Sequence, residues 1–144
     1  MRLADDRICF GCGPRNPRGL KLKFRLDPAR RILKTRWTPT KELQGYAGIV
    51  HGGMIALVLD ELMGNLLWTL KRPAVTAEMT VRFHRPARVH QPLIAQARVK
   101  SQRGRVFEME AQIRTPAGKR VASASAICVV VSAFPGVNVL HKTV

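Results

Sequence analysis

Acidic residues are scarce: nine Asp and Glu stand against 25 Lys and Arg in 144 residues, a formal charge of +16. That surplus calls for an anionic counterpart, either a nucleic-acid backbone or a small polyanion such as a nucleotide-bearing cofactor. Aromatic residues are few as well, two Trp, one Tyr and five Phe. No aromatic-rich platform for stacking bases is found, so a nucleic-acid-binding module is the weaker of the two readings. Long apolar runs are missing. The longest, Met54 to Leu59 and Ala126 to Val131, hold six residues each, far short of the roughly 20 needed to span a bilayer. Residues 1–7 have no apolar stretch behind their basic residue, so no secretory signal is read and a cytoplasmic location is expected. The three cysteines cannot all pair within one chain, in keeping with a reducing compartment. What is present is a 46% apolar chain of one-domain length, able to bury about two thirds of the surface its unfolded form exposes. That apolar share excludes intrinsic disorder.

The basic residues crowd between Arg15 and Arg36, where nine Lys and Arg meet only Asp27, and recur at Arg82, Arg85, Arg88 and from Arg98 to Arg105. Many alternate with apolar neighbours, as Lys21, Lys23 and Arg25 do, which also fits the solvated face of a sheet. Residues 1–19 are rich in Gly, Pro, Arg and Asn and read as an irregular leader. Two strands are expected next, Leu20 to Leu26 and Ile32 to Trp37, joined as a hairpin by the turn-forming Asp27-Pro28-Ala29-Arg30. Residues 38–50 read as a loop. From Gly52 to about Leu70 the chain lacks Pro and is rich in Leu, Met and Ala, which predicts one long helix of about 28 Å. Strands are expected after it: 75–83, where Val75, Ala77, Met79, Val81 and Phe83 alternate with polar partners, then 93–100, 106–113 and 120–131. The turns Ser101-Gln102-Arg103-Gly104 and Thr115-Pro116-Ala117-Gly118 make the last three a meander. Because Met54 to Leu59 is apolar all round, the helix must be buried on more than one side. The fold class expected is α+β, an antiparallel β-sheet wrapped around one long central helix, which is the hotdog arrangement.

Within that helix Asp60 and Glu61 are flanked by Leu59 and Leu62. An ionised carboxylate in apolar surroundings costs several kcal/mol unless paired, so one here is a functional candidate. The two lie about 100° apart around the axis, so one can face a site while the other faces a polar partner or solvent. Asp60 is taken as the catalytic one. At the helix start, Gly48-Ile49-Val50-His51-Gly52-Gly53 offers backbone N–H groups at the positive end of the dipole, unobstructed by side chains. That arrangement suits a developing oxyanion, although an ordinary glycine-rich helix start has the same spacing. Gly52 and Asp60 are eight residues apart, about 12 Å along one helix, too far for one carbonyl to touch both. Two helices antiparallel across a two-fold axis would bring the start of one opposite the middle of the other, so a dimer with shared sites is expected.

The run His51-Gly52-Gly53 followed by six residues and Asp60 resembles the HGG-x6-D signature of hotdog acyl-CoA thioesterases of the phenylacetyl-CoA (PaaI-like) group. Further segments resemble that group: Cys9-Phe10-Gly11-Cys12-Gly13, Asn16-Pro17-Arg18-Gly19-Leu20, Gln44-Gly45-Tyr46, and Thr76-Ala77 through Phe83-His84-Arg85-Pro86. The resemblance implies that Asp60 is general base or nucleophile, that the Gly52 or Gly53 N–H polarises a thioester carbonyl, that His51 assists and that Thr76 orients water. Some relatives carry an Asn in the loop before HGG, where Gln44 and Gly45 stand here. The domain layout expected is a leader over 1–19 and a single hotdog thioesterase domain over 20–144. The expected reaction is hydrolysis of an acyl-CoA or related thioester by a homodimer or homotetramer, with Arg82, Arg85, Arg88 and Arg103 as candidates for the CoA phosphates. A non-catalytic acyl-CoA sensor is the alternative on the same fold, which the presence of Asp60 argues against. Hotdog dehydratases carry a different His and carboxylate pattern.

Cys9-x-x-Cys12 invites a metal reading, but tetrahedral zinc takes four ligands and only Cys128 and scattered His are left to supply them. A redox pair would need a helix start after it, which Gly13-Pro14 does not offer. No metal or cofactor is expected, and the leader is expected to cover a subunit edge or ligand mouth.

Overall fold

A computed structural model describes residues 3–131. The expected final strand ends at Val130, and residues 132–144 of the expected domain lie outside the described residues.

One helix, α1 (Gly52–Thr69), is set against a six-stranded antiparallel sheet. In chain order the strands are β1 (Arg25–Asp27), β2 (Ile32–Trp37), β3 (Gln44–Tyr46), β4 (Ile49–Val50), β5 (Ala74–Phe83), β6 (Leu93–Arg103), β7 (Val106–Arg114) and β8 (Arg120–Val130). The large sheet runs β1-β2-β6-β7-β8-β5, so β1 and β5 are its edges, and β3 pairs with β4 in a separate ribbon. The helix rests on β2, β5, β6, β7 and β8. It buries Ile55, Val58, Leu59, Leu62, Met63, Leu66 and Leu67 against Leu33, Leu93, Phe107, Met109 and Ile113 of the sheet. Fully burying a side chain of this size contributes about 1.5–3 kcal/mol, and seven of them hold the helix in place. The sheet thus covers the side of the helix that carries Ile55, Val58 and Leu59, while Met54, Ala56 and Leu57 of the same apolar run are half-buried.

The helix start is built by short-range bonds. His51 is the N-cap, its Nδ1 accepting the Gly53 N–H at 2.9 Å and its own N–H bonding Leu43 O at 2.8 Å. At the other end the chain leaves the helix through Lys71, whose φ is +59°, just before Pro73, which cannot continue it.

β6 continues through Arg103, so the turn expected over Ser101–Gly104 is narrowed to Gly104 and Arg105, and three further expectations differ from the structure. The first strand is only Arg25–Asp27, because Lys21 takes a φ of +52°, a left-handed conformation that no strand contains. Residues 20–22 bond the leader instead, Leu20 N–H to Phe10 O at 2.8 Å and Leu22 N–H to Gly11 O at 2.9 Å. The expected loop 38–50 contains the β3–β4 ribbon and a short 3-10 turn, Lys41–Leu43. Finally, the β5 alternation is interrupted. Thr76 pairs with Cys128 but Glu78 pairs with Ile127, so one extra residue bulges at Ala77. Strict alternation would put Thr76 on the same face as Glu78, Thr80 and Arg82. The bulge turns it to the helix side, with Met79 and Val81, which pack on the core.

Candidate active site

Asp60 lies midway along α1 and Thr76 near the start of β5. The bulge aims the Thr76 hydroxyl at the carboxylate, and it donates to Asp60 Oδ1 at 2.6 Å. This is a short, charge-assisted hydrogen bond. Behind it the Cys128 thiol lies 3.9 Å from the Thr76 hydroxyl. Cys128 is buried, and burial pushes its thiol above the usual range, the Thr76 bond partly opposing and the nearby Asp60 charge adding to the rise. A neutral thiol therefore floors the pair.

Glu61 faces elsewhere, toward the leader. Its carboxylate accepts from the Asn65 side chain at 2.8 Å and sits 3.3 Å from Cys9 Sγ. The two carboxylates thus divide as the 100° rule requires, one to Thr76 and one to a polar partner.

At the start of α1, Gly53 N–H is occupied by His51 Nδ1. Gly52 N–H is the first donor of the helix and has no acceptor within it. A Cβ on Gly52 would lie 3.3 Å from the Phe83 ring, and one on Gly53 3.0 Å from His51 Nδ1. Both glycines let neighbouring rings approach closely. Gly45 does the same on the other flank, where a Cβ would sit 3.2 Å from the His51 ring. Gln44 Oε1 accepts the Gly48 N–H at 3.1 Å. The Gln44 side chain therefore serves its own ribbon, Gly48 taking a φ of +76° there.

The helix and β5 run side by side so that Gly52 meets Phe83 at one end and Asp60 meets Thr76 at the other. Phe83 is 56% exposed and Val75 36% exposed, and β5 is a sheet edge.

The four candidate arginines are all exposed. Arg85 donates to Arg120 O at 2.9 Å, and Arg88 pairs with Ile49 beside the helix start. Arg103 ends β6. Arg82 faces the outer side of the sheet, where a groove of about 680 Å³ is also lined by His84, Arg98, Arg114 and Arg120. Sequence reasoning named Arg82 but missed the rest of this basic groove, whose members meet only through strand pairing.

The family model of the thioesterase superfamily matches residues 47–122, a stretch holding the helix start, Asp60 and Thr76. The chain belongs to the thioesterase superfamily. Among solved structures, a thioesterase superfamily protein is 28% identical with a TM-score of 0.80, covering 85% of this chain and 60% of its own. The chain thus spans about three fifths of that thioesterase's length. A phenylacetic acid degradation-related protein of Ralstonia eutropha JMP134 is 26% identical with a TM-score of 0.70, covering 77% of this chain and 86% of its own. The Streptococcus mutans UA159 protein smu.793, bound to acetyl CoA, shares the fold at 15% identity and a TM-score of 0.73, covering 79% of this chain and 91% of its own. No curated protein matches the sequence. Among the described residues of this chain, no helix is long and apolar enough to cross a membrane.

Proposed function

We propose that this protein hydrolyses an acyl-CoA or related thioester to the free acid and thiol, in the cytoplasm, as a homodimer with two shared sites. The observation that carries the reading is the Thr76–Asp60 hydrogen bond of 2.6 Å. It fixes one carboxylate oxygen and leaves Oδ2 to take a proton from water. The water oxygen bonds to the thioester carbon as the carbonyl electron pair moves to oxygen. The Gly52 N–H at the positive end of α1 meets that oxyanion. Collapse breaks the C–S bond and expels the thiolate, which takes up the water-derived proton from Asp60. His51 holds the start of the helix through its bond to Gly53, so its contribution is to position the donor.

The exposed edge strand supports the dimer. Unpaired edges seek a partner, and β5 presents Val75 and Phe83 to solvent. Antiparallel pairing of two β5 strands about Met79 and Thr80 would set Thr76 of one copy against the partner's Phe83. Because Phe83 lies against Gly52 in each chain, the partner's Gly52 would approach Asp60 and close the 12 Å gap. Two such dimers would make the tetramer. Arg88, beside the helix start, or one or more of Arg82, Arg85 and Arg103 is proposed to meet the CoA phosphates.

The test is release of free thiol from a panel of short, long and aromatic acyl-CoAs. Turnover of at least one class supports the proposal. Tight binding across the panel without thiol release would make the protein a sensor instead.

A further inference from the structure

Glu61 presents an anomaly of charge. In a chain with a net charge of +16, its half-buried carboxylate has no Lys, Arg or His at ion-pair distance among the described residues, whose ion pairs are Arg98–Glu110 and Lys100–Glu108. Two thiols face it instead. Cys9 Sγ is 3.3 and 3.4 Å from its two oxygens, and the donor atoms of Cys9, Cys12 and Glu61 all lie within 4.8 Å of one another, each residue half-buried.

These separations suit a single cation. Tetrahedral zinc, with bonds of about 2.3 Å to sulfur and about 2.0 Å to oxygen, spaces its sulfur and oxygen ligands roughly 3.5 Å apart. The backbone is shaped around the same point. Gly13 N–H closes the turn on Cys9 O at 2.8 Å. A Cβ at Gly13 would run into the Cys9 backbone, so the turn tolerates no side chain there, and one at Gly11 would lie 2.5 Å from Glu61 Cδ and displace that carboxylate. Asn65 donates to Glu61 Oε1 at 2.8 Å and to Glu61 O at 2.7 Å, orienting the carboxylate as outer partners orient metal ligands. The fourfold count that left the Cys pair short of ligands in the sequence overlooked Glu61, which is 52 residues from Cys9.

We propose that Cys9, Cys12 and Glu61 bind one thiophilic divalent cation, with Zn²⁺ as the reference ion and an exogenous ligand such as water in the fourth position. Two thiolates select such an ion over Mg²⁺ or Ca²⁺. Both thiol protons leave as the cation enters, so the charge of the cluster is unchanged while binding weakens in acid. The bound ion fastens the leader to α1 one residue from Asp60. The site is independent of the proposed hydrolysis.

The test uses the full chain, reduced and stripped of metal, titrated with Co²⁺ and then Zn²⁺. One Co²⁺ per chain is expected, with the near-ultraviolet charge-transfer absorption of thiolate ligation, displaced by Zn²⁺. Cys9→Ser and Cys12→Ser should abolish that band, Glu61→Gln should weaken binding by at least about tenfold, and Asp60→Asn should bind as wild type does. Reduced wild type that gives no thiolate band overturns the proposal, as does binding that survives the double Cys replacement, or a Cys9–Cys12 disulfide that persists under mild reductant. Should the Cys variants fail to fold, wild type decides. Zn²⁺ is expected to raise its Tm and to shield Cys9 and Cys12 from alkylation, and an unchanged Tm with unchanged labelling contradicts the site.

Discussion

The Thr76 hydroxyl donates to the Asp60 carboxylate across 2.6 Å, and the strand reaches that geometry only because one residue, Ala77, bulges out of the β5–β8 ladder. A hydrogen bond to a charged group contributes about 1.5–3 kcal/mol. Thr76→Val, which keeps the shape and removes the donor, should therefore lower kcat by about 10- to 100-fold with KM little changed. Thr76→Ser should restore most of it. A Val variant with wild-type kcat would show that the bond is structural only.

Cys128 sits behind the pair with its thiol pushed up by burial. A thiol raised in the folded state keeps its proton where the unfolded chain has lost it. Its contribution to stability is thus complete below the ordinary thiol range, about pH 8.5, and is lost as pH climbs from there toward the folded value. Thermal melts from pH 7 to 10 should show an alkaline fall in Tm that Cys128→Ala makes shallower. Iodoacetamide at neutral pH should modify Cys128 far more slowly in the native protein than in the unfolded one.

The helix, the position of Asp60 and the three-strand meander were legible because periodicity and turn chemistry are local signals. Residues 54–59, apolar on every side, announced a helix packed against a sheet, although Met54, Ala56 and Leu57 stay half-buried. The facing of Thr76 was not legible, since a bulge depends on the pairing partner, here Cys128 and Ile127 of β8. The same holds for the leader. Glu61 meets Cys9 only through tertiary folding, and Lys21 shows its left-handed φ only because residues 20–22 pair with Phe10 and Gly11.

Acyl-pantetheine thioesters lack the nucleotide phosphates of CoA. They should show a raised KM and a flatter dependence on salt, because exposed charge pairs are screened over about 8 Å at physiological ionic strength. Replacing Arg82, Arg85, Arg88 and Arg103 singly by Met deletes charge while keeping much of the stem, and the docking residues are those whose variants mimic the truncation. An equal KM and an equal salt response for both thioesters would remove the phosphates from the account.

A site shared between copies should complement. Gly52→Ala, whose Cβ would stand 3.3 Å from the Phe83 ring, should disturb the oxyanion donor, and Asp60→Asn should disable the base. Heterodimers of the two variants carry one intact site of the two, so mixing should recover a measurable part of wild-type turnover. Verified heterodimers with no recovery would place the whole site in one chain.

The most direct measurement is the rate of thiol release by Asp60→Asn on the best substrate of the wild-type panel, alongside its affinity for that substrate. Replacing the carboxylate by an amide of nearly equal volume should cut turnover by about 10²- to 10⁴-fold while binding changes little. Turnover within a few-fold of wild type would contradict the assignment of Asp60 as the group that activates water.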